Sequence, residues 1–77
     1  MIEAYVLIQT EVGKAAQVVA AVKEIPGVTR AVVLTGPYDL LAHVEAIDVD
    51  SLGKLAVNEI QAVDSIVRTV TCPVVHL

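Results

Sequence analysis

Apolar residues form short runs at four places in the chain, and each run predicts a β-strand. The first run covers residues 2–9, and both of its faces are largely apolar, as in a central strand that is covered on two sides. The other runs cover residues 28–35, 39–47 and 64–75. Pro73 lies in the last run and has no N–H group to donate, so we expect this strand at a sheet edge.

Two segments between these strands have the apolar spacing of an amphipathic helix. The first covers residues 14–24 and stops at Ile25-Pro26-Gly27, because proline cannot continue a helix and glycine permits the turn. Its predicted apolar stripe consists of Val12, Ala15, Ala16, Val19 and Val22. The second helix follows Asp48 and Asp50, either of which can cap its N-terminus. Its predicted apolar face consists of Leu52, Leu55, Ala56, Ile60 and Val63.

The order of elements is therefore β-α-β-β-α-β, which predicts an α+β fold with the ferredoxin-like split arrangement. Right-handed crossovers place the first and third strands in the middle of a four-stranded antiparallel sheet. Both helices then cover one face of the sheet and leave the other face bare. Since Tyr5, Leu7 and Leu41 are apolar residues expected on the bare face, we predict that a second subunit covers it.

Length and composition support one domain, residues 1–77, that assembles with copies of itself. The chain is 56% hydrophobic, and nearly all of this is aliphatic because there is no Phe and no Trp. A domain of this size has too little interior to bury so many aliphatic side chains. An oligomer interface is the simplest place for the surplus, so we expect a homo-oligomer, at least a dimer.

Charge and cysteine content exclude several classes of protein. The net charge is −4 and the five basic residues are scattered, so direct nucleic-acid binding is not expected. The apolar runs are too short to span a membrane, and no signal peptide is recognisable at the N-terminus. Cys72 is the only cysteine, which excludes an internal disulfide and favours a cytoplasmic protein. We expect no cofactor, and Asp48 and Asp50 are better explained as helix caps than as metal ligands.

The segment between the second and third strands carries the most distinctive residues of the chain. Thr35-Gly36-Pro37-Tyr38-Asp39 combines a glycine, an aromatic ring and a carboxylate in one predicted hairpin turn. With its apolar flanks, residues 28–46, this turn resembles the centre of the effector-binding domain of Lrp/AsnC-type regulators, also called the RAM domain. The turn at residues 24–28 and the Thr69-Val70-Thr71 run resemble the same family, so the resemblance covers essentially the whole chain.

The resemblance implies an assembly and a ligand class. Full-length members carry a DNA-binding helix-turn-helix domain, whereas this chain begins at the first strand, so we expect a stand-alone form. The family implies a sheet-to-sheet dimer that forms an α/β barrel, with further assembly into tetramers, octamers or similar rings. It also implies amino-acid effectors bound between dimers near the turn, and association with full-length Lrp/AsnC regulators that changes their assembly.

An amino-acid effector needs N–H donors for its carboxylate and an acceptor for its ammonium group. The expected ligand-binding residues are Thr35, Gly36, Pro37, Tyr38, Asp39, Thr69 and Thr71. Here Gly36 allows a close approach to the backbone, Asp39 faces the ammonium, and Thr69 and Thr71 add two hydroxyls about 6–7 Å apart. The alternatives are ordinary turn chemistry at Gly36-Pro37, an Asx turn at Asp39, a subunit contact at Tyr38 and plain strand residues at both threonines.

Three functions fit these observations. The first is a non-catalytic module that senses amino acids and assembles. The second is a small dimeric α/β-barrel enzyme of the monooxygenase type, for which only His43, near Glu45, is a candidate; no nucleophile accompanies this pair, and we expect no catalytic residue. The third is a structural partner of full-length regulators that binds no small molecule.

Overall fold

The computed structural model describes all 77 residues and shows the predicted order of elements. Four strands, two α-helices and one π-helical segment follow one another along the chain. They are β1 (Ile2–Thr10), α1 (Ala15–Lys23), β2 (Val28–Val33), β3 (Leu40–Ala46), α2 (Val49–Lys54), the π-helical segment (Leu55–Ile60) and β4 (Ile66–Pro73).

The sheet has the strand order β2-β3-β1-β4, and every neighbouring pair is antiparallel. This confirms the predicted α+β ferredoxin-like arrangement, with β1 and β3 in the centre. It also confirms the edge position of β4, where Pro73 lies opposite Ala4 on β1. A proline without an N–H group is tolerated there because only one side of the strand must pair.

One face of the sheet packs against the helices and forms the core. Along β1, the alternate residues Ala4, Val6 and Ile8 are completely buried, as their spacing predicts. The matching residues of β3 are Leu40, Ala42 and Val44, which are also completely buried. The residues between them point to the opposite face, which no helix covers, and we call it the open face.

Helix α1 buries part of the predicted stripe, since Val22 is completely buried and Ala15 and Val19 pack against the core. Val12 is fully exposed and Ala16 is exposed, while Val18 is completely buried together with Val22. The reason is that the helix begins at Ala15, so Val12 lies in the preceding turn and cannot belong to a helical face. Val18 lies four residues before Val22, so the two side chains share one face of the helix and are buried together.

The second helical region begins where its cap was expected and then widens. The Oδ1 atom of Asp48 accepts the backbone N–H of Ser51 at 2.7 Å, and this hydrogen bond holds the pKa of Asp48 below its ordinary value. A continuous α-helix was expected, but after Lys54 the chain forms a π-helical segment, in which the N–H of Gln61 reaches the carbonyl of Ala56.

A glycine lets this helical region pack closely on the sheet. Gly27 has a φ of +98°, and a Cβ atom on it would lie 2.6 Å from Leu55 Cδ1 and 3.1 Å from the carbonyl oxygen of Glu45. Any other residue would therefore be strained and would displace Leu55 from the core. The last strand starts two residues later than predicted, because Ser65 adopts a left-handed φ of +73° and ends a turn.

Candidate functional site

The open face of the sheet has two polar ends and an apolar middle. In the middle, Leu7 of β1 lies opposite Leu41 of β3 and Val70 of β4. One end carries the turn between β2 and β3, and the other end carries the start of β1 and the end of β3. Of the predicted ligand-binding residues, Thr35 to Asp39 lie at the first of these ends, whereas Thr69 and Thr71 lie on the helix-covered face of β4.

The turn itself leaves its backbone open. Gly36 has a φ of +144°, and a Cβ atom placed on it would meet no atom within 4 Å. The N–H groups of Thr35, Gly36 and Tyr38 have no acceptor within the chain. The turn is closed at its base, where the N–H of Leu34 donates to the carbonyl of Asp39 at 2.7 Å. We call residues 35–39 the turn site.

Asp39 holds the turn site against the end of β1. Its N–H donates to the carbonyl of Ile8 at 2.9 Å. Its Oδ2 atom accepts the N–H of Thr10 at 2.8 Å and faces the Thr10 hydroxyl at 3.3 Å. Thr10 is buried, so this carboxylate satisfies a backbone donor that water does not reach easily. The Oδ1 atom of Asp39 accepts no hydrogen bond within the chain and stays available.

The start of β4 completes this end of the sheet. The guanidinium carbon of Arg68 lies 5.8 Å from the centre of the Tyr38 ring, which is the geometry of a cation–π contact. Thr69 lies opposite Ile8 and Thr71 opposite Val6, so both threonines share the helix-covered face of the sheet. The Thr69 hydroxyl accepts a hydrogen bond from Gln61 Nε2 at 3.0 Å, and Thr71 lies two residues further from the turn.

The opposite end of the open face carries a second polar group, which we call the carboxylate–histidine cluster: Glu3, His43 and Glu45. Glu3 and Glu45 lie directly opposite each other on β1 and β3. The Nε2 atom of His43 lies 2.8 Å from Glu3 Oε1, and the Tyr5 ring meets the imidazole edge-on at 5.0 Å between ring centres. The Nδ1 atom of His43 is hydrogen-bonded to the Thr29 hydroxyl.

The sequence predicts only part of this cluster. His43 and Glu45 are two residues apart on one strand, and their proximity is visible in the sequence. Glu3 is 40 positions from His43, and Thr29 is 14 positions away. The signal that could have found Glu3 is strand register, because antiparallel pairing of the first and third predicted strands brings Glu3 to Glu45. No such signal exists for Thr29, which lies at an irregularity in β2 between Val28 and Arg30.

The fold and the open turn define a small α+β ligand-binding domain. The family described as "Lrp/AsnC ligand binding domain" matches residues 3–76. The chain therefore belongs to this family, as the hairpin and the Thr-x-Thr run indicated. Comparison with curated proteins gives no significant match. No helix of the structure is long and apolar enough to cross a membrane.

Solved structures with the same fold include TTHA0845 from Thermus thermophilus, with 32% identity and a TM-score of 0.93 over 100% of this chain and 96% of that one. AsnC of E. coli is 25% identical with a TM-score of 0.91, and the match covers 99% of this chain and 52% of AsnC. A transcriptional regulator of Neisseria meningitidis, NMB0573, solved as a complex with L-Met, is 18% identical with a TM-score of 0.84. That match covers 97% of this chain and 50% of the regulator.

Proposed function

We propose that the chain is an amino-acid-binding and oligomerisation module that modulates amino-acid-responsive transcription without contacting DNA itself. The observation that carries this proposal is the turn site, which offers unpaired backbone donors beside an available carboxylate oxygen in a domain of the Lrp/AsnC ligand-binding family. The acidic net charge and the scattered basic residues support the absence of direct DNA contact.

The turn site divides the recognition of an amino acid between backbone and side chain. The N–H groups of Gly36 and Tyr38 are free to donate to the carboxylate, and the space over Gly36 is open. The N–H of Asp39 is already used by Ile8, so it adds nothing to this set. The Oδ1 atom of Asp39 is the acceptor for the ammonium group, while Oδ2 keeps the turn attached to β1.

The fold also supports the proposed assembly. A single chain leaves Leu7, Leu41 and Val32 on a face that no helix covers, and Tyr5 on the same face is 43% exposed. A second copy placed sheet to sheet buries these side chains, in the manner of a dimeric α/β barrel. The turn lies at the margin of that face, where dimers can meet in a larger ring and enclose the ligand.

Amino acids are the proposed ligand class because of the family and one structure with this fold. The regulator NMB0573, half of which has this fold, was solved as a complex with L-Met, and this supports amino acids as the ligand class. A non-enzymatic role is proposed because the family is defined by ligand binding. Full-length Lrp/AsnC regulators are the proposed partners, since the chain corresponds to about half of AsnC.

Thermal unfolding with a panel of free amino acids tests the proposal. A ligand present at 100 times its Kd should stabilise the folded chain by about 2.7 kcal/mol. The N-acetylated and the decarboxylated forms of the same amino acid should have no effect, because each lacks one of the two recognised charges. If no amino acid shifts the transition at millimolar concentration, the proposed function is wrong.

Two variants locate the ligand. Asp39→Asn keeps an oxygen for Thr10 and removes the charge offered to the ammonium, so it should weaken amino-acid binding by about tenfold or more while the chain stays folded. Thr69→Val and Thr71→Val test the two threonines, and only a hydroxyl that contacts the ligand changes the affinity when removed. Unchanged binding in Asp39→Asn would place the ligand elsewhere.

A pull-down with a full-length regulator separates sensing from a purely structural role. Association that depends on the added amino acid supports the proposed module. Association that is identical with and without any amino acid, together with no thermal shift, supports a structural partner instead.

A further inference from the structure

The register of the sheet places two carboxylates side by side at the end opposite the turn. Glu3 and Glu45 are direct cross-strand partners on the open face, and two like charges in this position repel each other. Both side chains are half-buried, so water screens them only in part. A pair of carboxylates held together in this way is stable when a cation lies between them.

The third member of the cluster is aimed at the same point. His43 lies on β3 two residues from Glu45, and its Nε2 atom lies 2.8 Å from Glu3 Oε1. One ligand atom from each of Glu3, His43 and Glu45 lies within 4.8 Å of the other two. The side chain of His43 is only 17% exposed, which restricts its freedom to turn away.

A hydrogen bond fixes which ring nitrogen points into the cluster. The Thr29 hydroxyl donates to the carbonyl of His43 at 3.1 Å and also contacts His43 Nδ1. These contacts hold the imidazole with Nδ1 toward Thr29 and Nε2 toward Glu3, whichever nitrogen carries the proton. A metal ion between Nε2 and Glu3 would replace the hydrogen bond that joins them. Histidine ligands of metal ions are commonly oriented by such a hydrogen bond on the other nitrogen.

The C-terminal tail brings a fourth group. The N–H of Val74 donates to the carbonyl of Glu3 at 2.9 Å, which holds the tail beside the cluster. His76 Nε2 then lies 3.7 Å from Glu3 Oε2. Two ligand atoms on one tetrahedral Zn²⁺ ion, each about 2.0–2.2 Å from the metal, are about 3.3–3.6 Å apart. The two observed histidine–carboxylate separations fall on either side of that range, so small side-chain rotations suffice.

We propose that Glu3, His43 and Glu45, with His76 as a fourth ligand, bind one divalent transition-metal ion of the Zn²⁺ type. Mixed imidazole and carboxylate ligands suit Zn²⁺ and its neighbours in the first transition row, whereas Mg²⁺ and Ca²⁺ prefer oxygen ligands alone. The sequence predicted no metal, because Glu3 and His43 are far apart in it. The ion neutralises the two opposed carboxylates at the end of the open face that is remote from the turn site.

Titration of the metal-stripped, tag-free chain with ZnCl₂ in a calorimeter tests the proposal, and the visible absorption of bound Co²⁺ reports the ligand set. We expect saturable uptake of one ion per chain. His43→Gln and Glu45→Gln should each weaken it by at least about tenfold, and Thr29→Val, which removes only the orienting hydroxyl, by about 10- to 100-fold. Far-ultraviolet circular dichroism of each variant without metal shows whether it is folded.

Two control variants make the result specific. Glu59→Gln removes an exposed carboxylate outside the cluster and should leave zinc affinity unchanged. Cys72→Ser removes a thiol that lies on the open face opposite Tyr5 and should also leave it unchanged. Absence of saturable uptake overturns the proposal, as does uptake that survives both His43→Gln and Glu45→Gln or is abolished by Cys72→Ser. Amino-acid binding plays no part in this measurement. A chain that binds no zinc would therefore overturn the metal site and leave the proposed function untouched.

Discussion

The two ends of the open face are built in different ways. The turn site is five consecutive residues that contribute mainly backbone N–H groups. Its one charged side chain is Asp39, whose Oδ2 atom binds the turn to Thr10 and whose Oδ1 atom is still available. The carboxylate–histidine cluster consists only of side chains, and they come from different strands. About six residues of β1, or roughly 20 Å, separate the two ends. The comparison shows that one sheet can hold a run of open backbone donors and a group of carboxylate and imidazole side chains at a fixed distance.

The apolar middle of the open face provides the largest expected effect. Leu41→Glu puts a charge opposite Leu7, on the surface where a second copy is proposed to pack. Burial of an unpaired carboxylate there should weaken self-association by more than about hundredfold. Light scattering combined with size-exclusion chromatography measures the change, and Val57→Glu on the exposed side of the helical layer is the control. A Leu41→Glu variant with the wild-type mass would show that assembly uses another surface.

Removal of the Asp39 side chain tests the anchoring of the turn site. Asp39→Ala leaves the N–H of the buried Thr10 without its acceptor, which should lower the free energy of unfolding by about 1–3 kcal/mol. Urea unfolding measures this loss, and Asp64→Ala, at an exposed position in another turn, is the control. If Asp39→Ala unfolds at the wild-type urea concentration, the turn is held by other contacts.

The smallest effect concerns the helix cap that follows β3 beside the cluster. The pKa of Asp48 is lowered by its hydrogen bond from Ser51, so its contribution to stability is complete above the ordinary pKa of 3.8. The contribution disappears as the pH falls through the lower folded-state pKa. Asn is an equally good helix cap and carries no charge. The Asp48→Asn variant should therefore lose less stability than the wild type between about pH 5 and about pH 2, a range that extends about one to two units to either side of the ordinary pKa of an aspartate. Parallel curves for the two proteins would contradict this assignment, and Asp50→Asn is the control.

Much of the fold follows from local patterns. The sequence placed Tyr5, Leu7 and Leu41 on the face of the sheet that no helix covers, and Pro73 located the edge strand. Two features of the helical layer differ from these patterns. Val18 replaces Val12 in the α1 stripe because the helix begins at Ala15, and a π-helical segment follows Lys54 where the apolar spacing predicts a regular α-helix. Neither helix boundary is encoded in the spacing of apolar residues alone.

The candidate sites likewise differ in how far a local sequence pattern predicts them. The turn site is contiguous, so residues 35–39 can be identified together from the sequence. The structure adds that the N–H of Asp39 is already used and that Oδ1 is still available. The cluster needed the register of β1 against β3, and the position of Thr29 depends on an irregularity in β2 between Val28 and Arg30. Long-range pairing of this kind cannot be read from a single segment.

The most direct test follows backbone amide resonances of the ¹⁵N-labelled protein by transverse-relaxation-optimised NMR. An amino acid that stabilises the chain is titrated first, and ZnCl₂ is titrated in a separate sample. We predict that the amino acid shifts the amide resonances of Gly36 and Tyr38 and leaves those of Glu3 and His43 in place. Zinc should do the reverse. Amide resonances of Gly36 and Tyr38 that stay unchanged at saturating amino acid would contradict the central claim that the turn site is where the effector binds.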